Sequence, residues 1–86
     1  MTIRYTRRFK KQFQALKKNE QKRFWERLEL FIQNPDHAQL RRHVLKGKYT
    51  GLYSINIGGD IRAVYIEMDD ELILFKLIGT HSKLYR

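Results

Sequence analysis

Three runs of strand-forming residues, Tyr53–Ile57, Ile61–Met68 and Leu72–Ile78, follow one another with turn pairs Gly58-Gly59 and Asp69-Asp70 at the breaks. Runs rich in β-branched and aromatic residues, separated by so few residues, pair with their sequence neighbours as an antiparallel meander. The last two are apolar at consecutive positions (Val64, Tyr65, Ile66; then Ile73, Leu74, Phe75), so they are expected in the middle of the sheet. Such a sheet needs a covering layer, and the first half of the chain must supply it.

Ile3–Thr6 has the composition of a short strand, and Thr6 is placed to cap a helix running to about Lys18. In that helix Phe9, Phe13 and Leu16 recur at i, i+4 and i+7, with Lys10, Lys11, Gln14, Lys17 and Lys18 elsewhere. Asn19 is a plausible cap for a second helix, which carries Phe24, Trp25, Leu28, Phe31 and Ile32 on its apolar side and stops at Asn34-Pro35. His43–Lys46 reads as a further strand ending at Gly47. The expected fold is α+β: an N-terminal strand and an antiparallel helical hairpin packed on a twisted, largely antiparallel sheet, in one domain over residues 1–86.

Charge narrows the class of partner. The formal net charge is +9, and residues 1–48 hold 14 of the 18 Lys+Arg, so the excess belongs to the first half. A surface of this kind attracts polyanions such as RNA, DNA or an acidic protein segment. The chain has no cysteine, hence no disulfide and no thiolate metal site, which fits a reducing cytoplasm. No apolar run is long enough to span a membrane, and the N-terminus does not read as a secretory signal.

Four places carry polar residues that the fold does not require. His43 to Lys48 sets a histidine, Lys46 and Lys48 at a loop; Asp60-Ile61-Arg62 opens a strand; Asn56 lies in the facing strand; and His81 and Tyr85 follow the last strand. For a lone histidine such as His43, bonding a neighbouring carbonyl is the plainer reading, and the lysines read equally as loop charges. Asp60 reads equally as a turn residue. Arg62 sits in an apolar strand and needs an anionic partner if buried, Asp60 being the nearest in sequence. On a regular strand, residues two apart share a face, which would place Asp60 and Arg62 together. His37 reads as loop. The histidines lack helical metal-ligand spacing, and no phosphate-cradling glycine loop, nucleophile elbow or dinucleotide fingerprint is present. General acid–base chemistry beside several cations remains, a set that suits RNA cleavage by its own 2′-hydroxyl without metal or other cofactor.

The run His43-Val44-Leu45-Lys46-Gly47, the aspartate at position 60 and the terminal Gly79-Thr80-His81-Ser82-Lys83-Leu84-Tyr85 resemble the YafQ branch of the RelE/ParE toxin superfamily. The resemblance covers nearly the whole chain, and the Gly-Thr-His-Ser-x-Leu-aromatic terminus is its most specific part. It implies a toxin of a type II toxin–antitoxin pair: a ribosome-dependent mRNA endonuclease silenced by an acidic antitoxin, the complex binding operator DNA through the antitoxin. By position His43, Asp60, His81 and Tyr85 match that branch's functional residues, and Lys46 and Arg62 match basic positions used at the RelE branch's RNA site. The branch pattern has histidine, tryptophan and arginine where this chain has Asn56, Ile61 and Leu77, and Arg62 is the cation available to replace that arginine. On this reading His81 is the general acid, Asp60 or His43 the base, Arg62 and Lys46 hold the phosphate, Tyr85 stacks on a nucleotide, and Lys48 and Asn56 contact RNA. Two rivals are a ParE-like toxin that binds DNA gyrase without catalysis, and a small basic nucleic-acid-binding module.

Overall fold

The meander forms as its turn signals require. The computed structural model describes residues 1–85, in which β3 (Tyr53–Gly58), β4 (Ile61–Glu67) and β5 (Leu72–Thr80) pair antiparallel. β1 (Thr2–Tyr5) lies parallel to β5, and β2 (His43–Val44) lies antiparallel to β3, giving a five-stranded sheet in the order β1-β5-β4-β3-β2. The fold is thus α+β with a mixed sheet, and the apolar strands β4 and β5 stand inside it as their composition requires. β2 is shorter than the sequence suggests, because the chain leaves the sheet at Lys46 for a 3-10 turn over Gly47–Tyr49.

Helices α1 (Arg7–Gln14) and α2 (Lys18–Gln33) cover one face of the sheet. Phe9, Phe24, Leu28 and Phe31 are buried there against Ile55, Ile57, Tyr65, Phe75 and Ile78. The helix ends differ from expectation. α1 stops before Ala15, and the Gln21 side chain of α2 donates to the carbonyls of Phe13 (3.0 Å) and Leu16 (3.3 Å) at that end. α2 begins at Lys18 rather than after Asn19, its first turn closed by the Glu20 carboxylate accepting from the Lys17 N–H at 2.9 Å. Trp25 and Ile32 are about half exposed (50% and 49%) instead of buried. Phe24, Leu28 and Phe31 already fill the sheet-facing stripe, and the next residue along a helix is turned by about 100°.

Thr6 caps α1 as expected, its Oγ1 accepting from the Phe9 N–H at 3.0 Å. The same hydroxyl donates to the Lys76 carbonyl at 3.1 Å. Lys76 is the extra residue of a β-bulge, because Val64 pairs with Leu77 and Tyr65 with Phe75. The bulge reverses the side-chain alternation of β5: Phe75 and Ile78 join the helix-side core, while Leu77 faces the other way. Thr6→Ala therefore removes a cap and a bulge contact together. It is expected to lower stability by about 1–2 kcal/mol, read as a reduced midpoint in urea unfolding.

The opposite face of the sheet is covered without a helical layer. Val64 and Leu77 are buried beneath Leu84 of the short helix α3 (His81–Leu84), with Leu45, Tyr49 and Leu52 of the β2–β3 loop packed around them. The sequence reading foresaw one covered face. The second cover, built from a loop and a terminal turn, is what brings the polar candidates together.

Candidate active site

Pairing across the sheet sets two rows of side chains on the face away from α1 and α2. His43 pairs with Ser54, Ser54 with Val64, and Val64 with Leu77; Asn56 pairs with Arg62, and Arg62 with Gly79. Directly paired residues point to the same side, so Asn56 and Arg62 stand together beside the bare backbone of Gly79.

Arg62 is half buried, and its Nη1 lies within bonding distance of Asn56 Oδ1 (3.0 Å) and of the Gly59 and Ile61 carbonyls (both 3.1 Å). The expected partner was Asp60. Asp60 instead sits in the turn before β4, where strand alternation does not apply, and Asn56 takes its place. Asn56 Oδ1 also accepts from the Gly58 N–H at 3.0 Å, so one amide oxygen fixes both the turn and the cation. No carboxylate lies within ion-pair distance of Arg62 among the described residues, and its Nε and Nη2 make no hydrogen bond there. Among the described residues the guanidinium is therefore held by neutral oxygens alone, with part of its donor fork open to an external anion.

The turn carrying Asp60 requires glycine. Gly58 has φ +132°, and a Cβ there would come within 2.7 Å of Arg23 Nη1, which lies across the turn from α2. Asp60 contributes its carbonyl, which accepts from the His81 N–H at 3.0 Å, while its carboxylate stays exposed. β5 thus delivers His81 beside Asp60. Thr80 caps α3 by accepting from the Lys83 N–H at 3.3 Å, and the exposed His81 ring stands edge-to-face with Tyr85 at 4.7 Å.

His43 lies across the sheet from this group. β2 and β5 are three strand spacings apart, roughly 14 Å. The plainer reading of His43 holds: its Nδ1 is 3.0 Å from the Arg41 carbonyl. Donation to that carbonyl places the proton on Nδ1 and leaves Nε2 as an acceptor, so the bond does not remove the ring from chemistry. Arg42 anchors the approach to β2, bonding Asp36 at 2.7 Å and the Tyr65 hydroxyl at 3.4 Å. Burial raises the Tyr65 phenol above its ordinary value of 10.0, so it remains protonated beside that cation.

Lys46 and Lys48 are exposed on the β2–β3 loop, with Lys48 Nζ 5.3 Å above the Tyr49 ring. Tyr85 is partly buried and packs against Tyr49 at 5.5 Å. Tyr49 is the residue that sequence reading passed over. An isolated aromatic in a glycine-flanked loop has no periodicity to mark it, and only the folded loop shows what it touches. Leu77 and Ile61, where the family pattern has arginine and tryptophan, are both buried and apolar here (8% and 5% exposed). No group of three or more His, Asp or Glu side chains converges as a metal site among the described residues. No described helix is long and apolar enough to cross a membrane.

The arrangement is an open basic face with an imidazole, a carboxylate and a held guanidinium at one end of the sheet. Over residues 1–86 the chain matches the family described as the bacterial toxin of type II toxin-antitoxin system, YafQ. Among solved structures, YafQ from E. coli strain BL21(DE3) superposes with a TM-score of 0.82 at 24% identity, over 98% of this chain and 97% of that one. The E. coli DinJ-YafQ toxin-antitoxin complex gives a TM-score of 0.78 at 24% identity, over 98% of this chain and 96% of that one. The YoeB dimer from Staphylococcus aureus gives 0.76 at 25% identity, over 94% and 97%. No curated protein sequence is a match. The resemblance read from the Gly79–Tyr85 terminus is borne out: the chain belongs to the YafQ family of bacterial toxins of type II toxin–antitoxin systems.

Proposed function

We propose that this toxin is a ribosome-dependent mRNA endoribonuclease that cuts by transesterification. The 2′-oxygen attacks the adjacent phosphorus, the bond to the departing 5′-oxygen breaks, and the products are a 2′,3′-cyclic phosphate and a 5′-hydroxyl. Asp60 takes the 2′-hydroxyl proton and His81 protonates the leaving oxygen. Arg62 stabilises the charge that builds on the phosphorane, with Lys46 and Lys48 holding flanking phosphates. Tyr85 orients a nucleotide base, and Asn56 keeps Arg62 in place.

The observation that carries this reading is Arg62, fixed by neutral oxygens with no carboxylate partner among the described residues and two residues along the strands from the His81–Asp60 contact. Asp60 is favoured over His43 as the base because it adjoins His81, whereas His43 stands strands away and is better placed for a neighbouring phosphate or base. The reaction as written needs no cofactor.

The partner implied is a cognate antitoxin with an acidic or amphipathic segment, as the DinJ-YafQ complex suggests by analogy. Such a segment would compete with RNA for the basic face in the cytoplasm. Operator DNA would be engaged through the antitoxin.

Toeprinting of a defined mRNA on purified ribosomes tests the reading. New ends are expected only when toxin and ribosomes are both present, and a 2′-deoxy substitution at the cut nucleotide should abolish them. Normal cutting at the 2′-deoxy position would refute the mechanism. Growth arrest with DNA-damage signalling and intact message would move the assignment to a gyrase-binding toxin.

A further inference from the structure

We infer that Tyr49 is a positioning residue for His81 and Tyr85, tying the lysine-bearing β2–β3 loop to the reacting end of the sheet. Its kinetic consequence rests on the nuclease reading above; its structural consequence does not.

The helix that carries His81 is four residues long, too short to be stable by itself. Its N-terminal end is held by the Thr80 cap and by the His81 N–H bond to Asp60. Its other end is held by Tyr49, whose hydroxyl donates to the Leu84 carbonyl at 2.9 Å across 35 residues of sequence. That bond satisfies one of the carbonyls left open at a helix C-terminus.

The rings form a continuous series. Tyr49 meets Tyr85 at 5.5 Å and 77°, and Tyr85 meets His81 at 4.7 Å and 67°, both edge-to-face contacts. The Tyr85 hydroxyl is buried and finds no hydrogen-bond partner among the described residues. The Tyr85 N–H closes α3 on the His81 carbonyl at 3.1 Å, but among the described residues no side-chain hydrogen bond orients the Tyr85 ring. Its ring is set by packing, with Tyr49 on one side and the His81 imidazole on the other.

Tyr49 is itself firmly placed. Its N–H donates to the Lys46 carbonyl at 3.3 Å, its carbonyl accepts from Leu52 at 3.1 Å, and the Thr50 hydroxyl closes the turn on Gly47 at 2.6 Å. Lys46 and Lys48 flank it in this same turn. A phosphate drawn to those lysines thus engages the loop whose aromatic residue determines where the His81 ring stands.

Two variants separate positioning from simple packing. Tyr49→Phe keeps the ring and removes the bond to Leu84; Tyr49→Leu removes the ring contact with Tyr85 as well. Each is compared with the wild type for cleavage of ribosome-bound mRNA, for melting temperature, and for the His81 ring-proton resonances, assigned with a His81→Gln protein. We expect kcat to fall several-fold in Tyr49→Phe and on the order of tenfold or more in Tyr49→Leu, with KM little changed. The His81 resonances should move in both, because the Tyr85 ring that shields them shifts, while Tyr49→Phe melts close to the wild type. Unmoved His81 resonances with unchanged kcat in either folded variant would overturn the inference. So would a fall in kcat that merely follows melting temperature while the resonances stay in place. If Tyr49→Leu fails to fold, Tyr49→Phe decides. If the wild type does not cut RNA at all, the nuclease reading fails separately, and the resonances still decide whether Tyr49 sets the His81 ring.

Discussion

His81→Ala is expected to lower ribosome-dependent mRNA cleavage by on the order of a hundredfold or more, the usual loss when a positioned general acid is removed. The protein should remain folded. The His81 side chain is exposed, the α3 cap is supplied by Thr80, and the bond to Asp60 uses the backbone N–H that alanine retains. Single-turnover cleavage with wild-type and variant toxin, each checked for an unchanged melting temperature, gives the answer. The deficit should shrink on a substrate whose 5′-oxygen is replaced by sulfur, because a thiolate leaves without needing a proton. Equal cleavage of the normal substrate by both proteins would remove His81 from the mechanism. A deficit that stays the same on the sulfur-substituted substrate would reassign it from acid to another role.

The second large effect concerns the fold. Phe24→Ala is expected to remove about 3–5 kcal/mol of stability, which in a domain of this size is a large part of the roughly 5–15 kcal/mol available. Phe24 is fully buried, and its ring meets those of Phe9 at 5.4 Å, Phe13 at 5.6 Å and Phe75 at 5.6 Å, joining both helices to the sheet. Truncation leaves a cavity bounded by three separate elements, which cannot close on it together. The half-exposed neighbour Trp25 offers a control, since Trp25→Ala should cost far less despite the larger side chain. Urea unfolding of both variants makes the comparison. A smaller loss at Phe24 than at Trp25 would mean that the aromatic cluster is organised around the wrong residue.

The proposed site depends on features of unequal visibility in sequence. His81 and Tyr85 could be picked out because a histidine and an aromatic follow an apolar strand at helical spacing, and the family pattern marks the same positions. Arg62 could be picked out because a charge inside an apolar strand needs an explanation. Its partner could not. Asp60 is closer in sequence, but the register places Asn56 directly opposite Arg62, and Asp60 falls into the turn. Tyr49 left no trace because its contacts are with Leu84 and Tyr85, residues brought to it only by closure of the whole sheet.

Local chemistry in the chain determined the three-stranded meander, the helical hairpin and, Trp25 and Ile32 excepted, the side of each helix that would be buried. Turn residues, strand-forming runs and helical periodicity act over a few neighbours and need no knowledge of distant segments. Tertiary structure alone decided that β1 joins β5 in parallel, that the Lys76 bulge reverses the faces of β5, and that the β2–β3 loop and α3 close over the second face. Those outcomes join residues as far apart as Thr6 and Lys76 or Tyr49 and Leu84. Such pairings are selected by which surfaces remain to be covered once the local elements exist, and the site lies where the last of them meet.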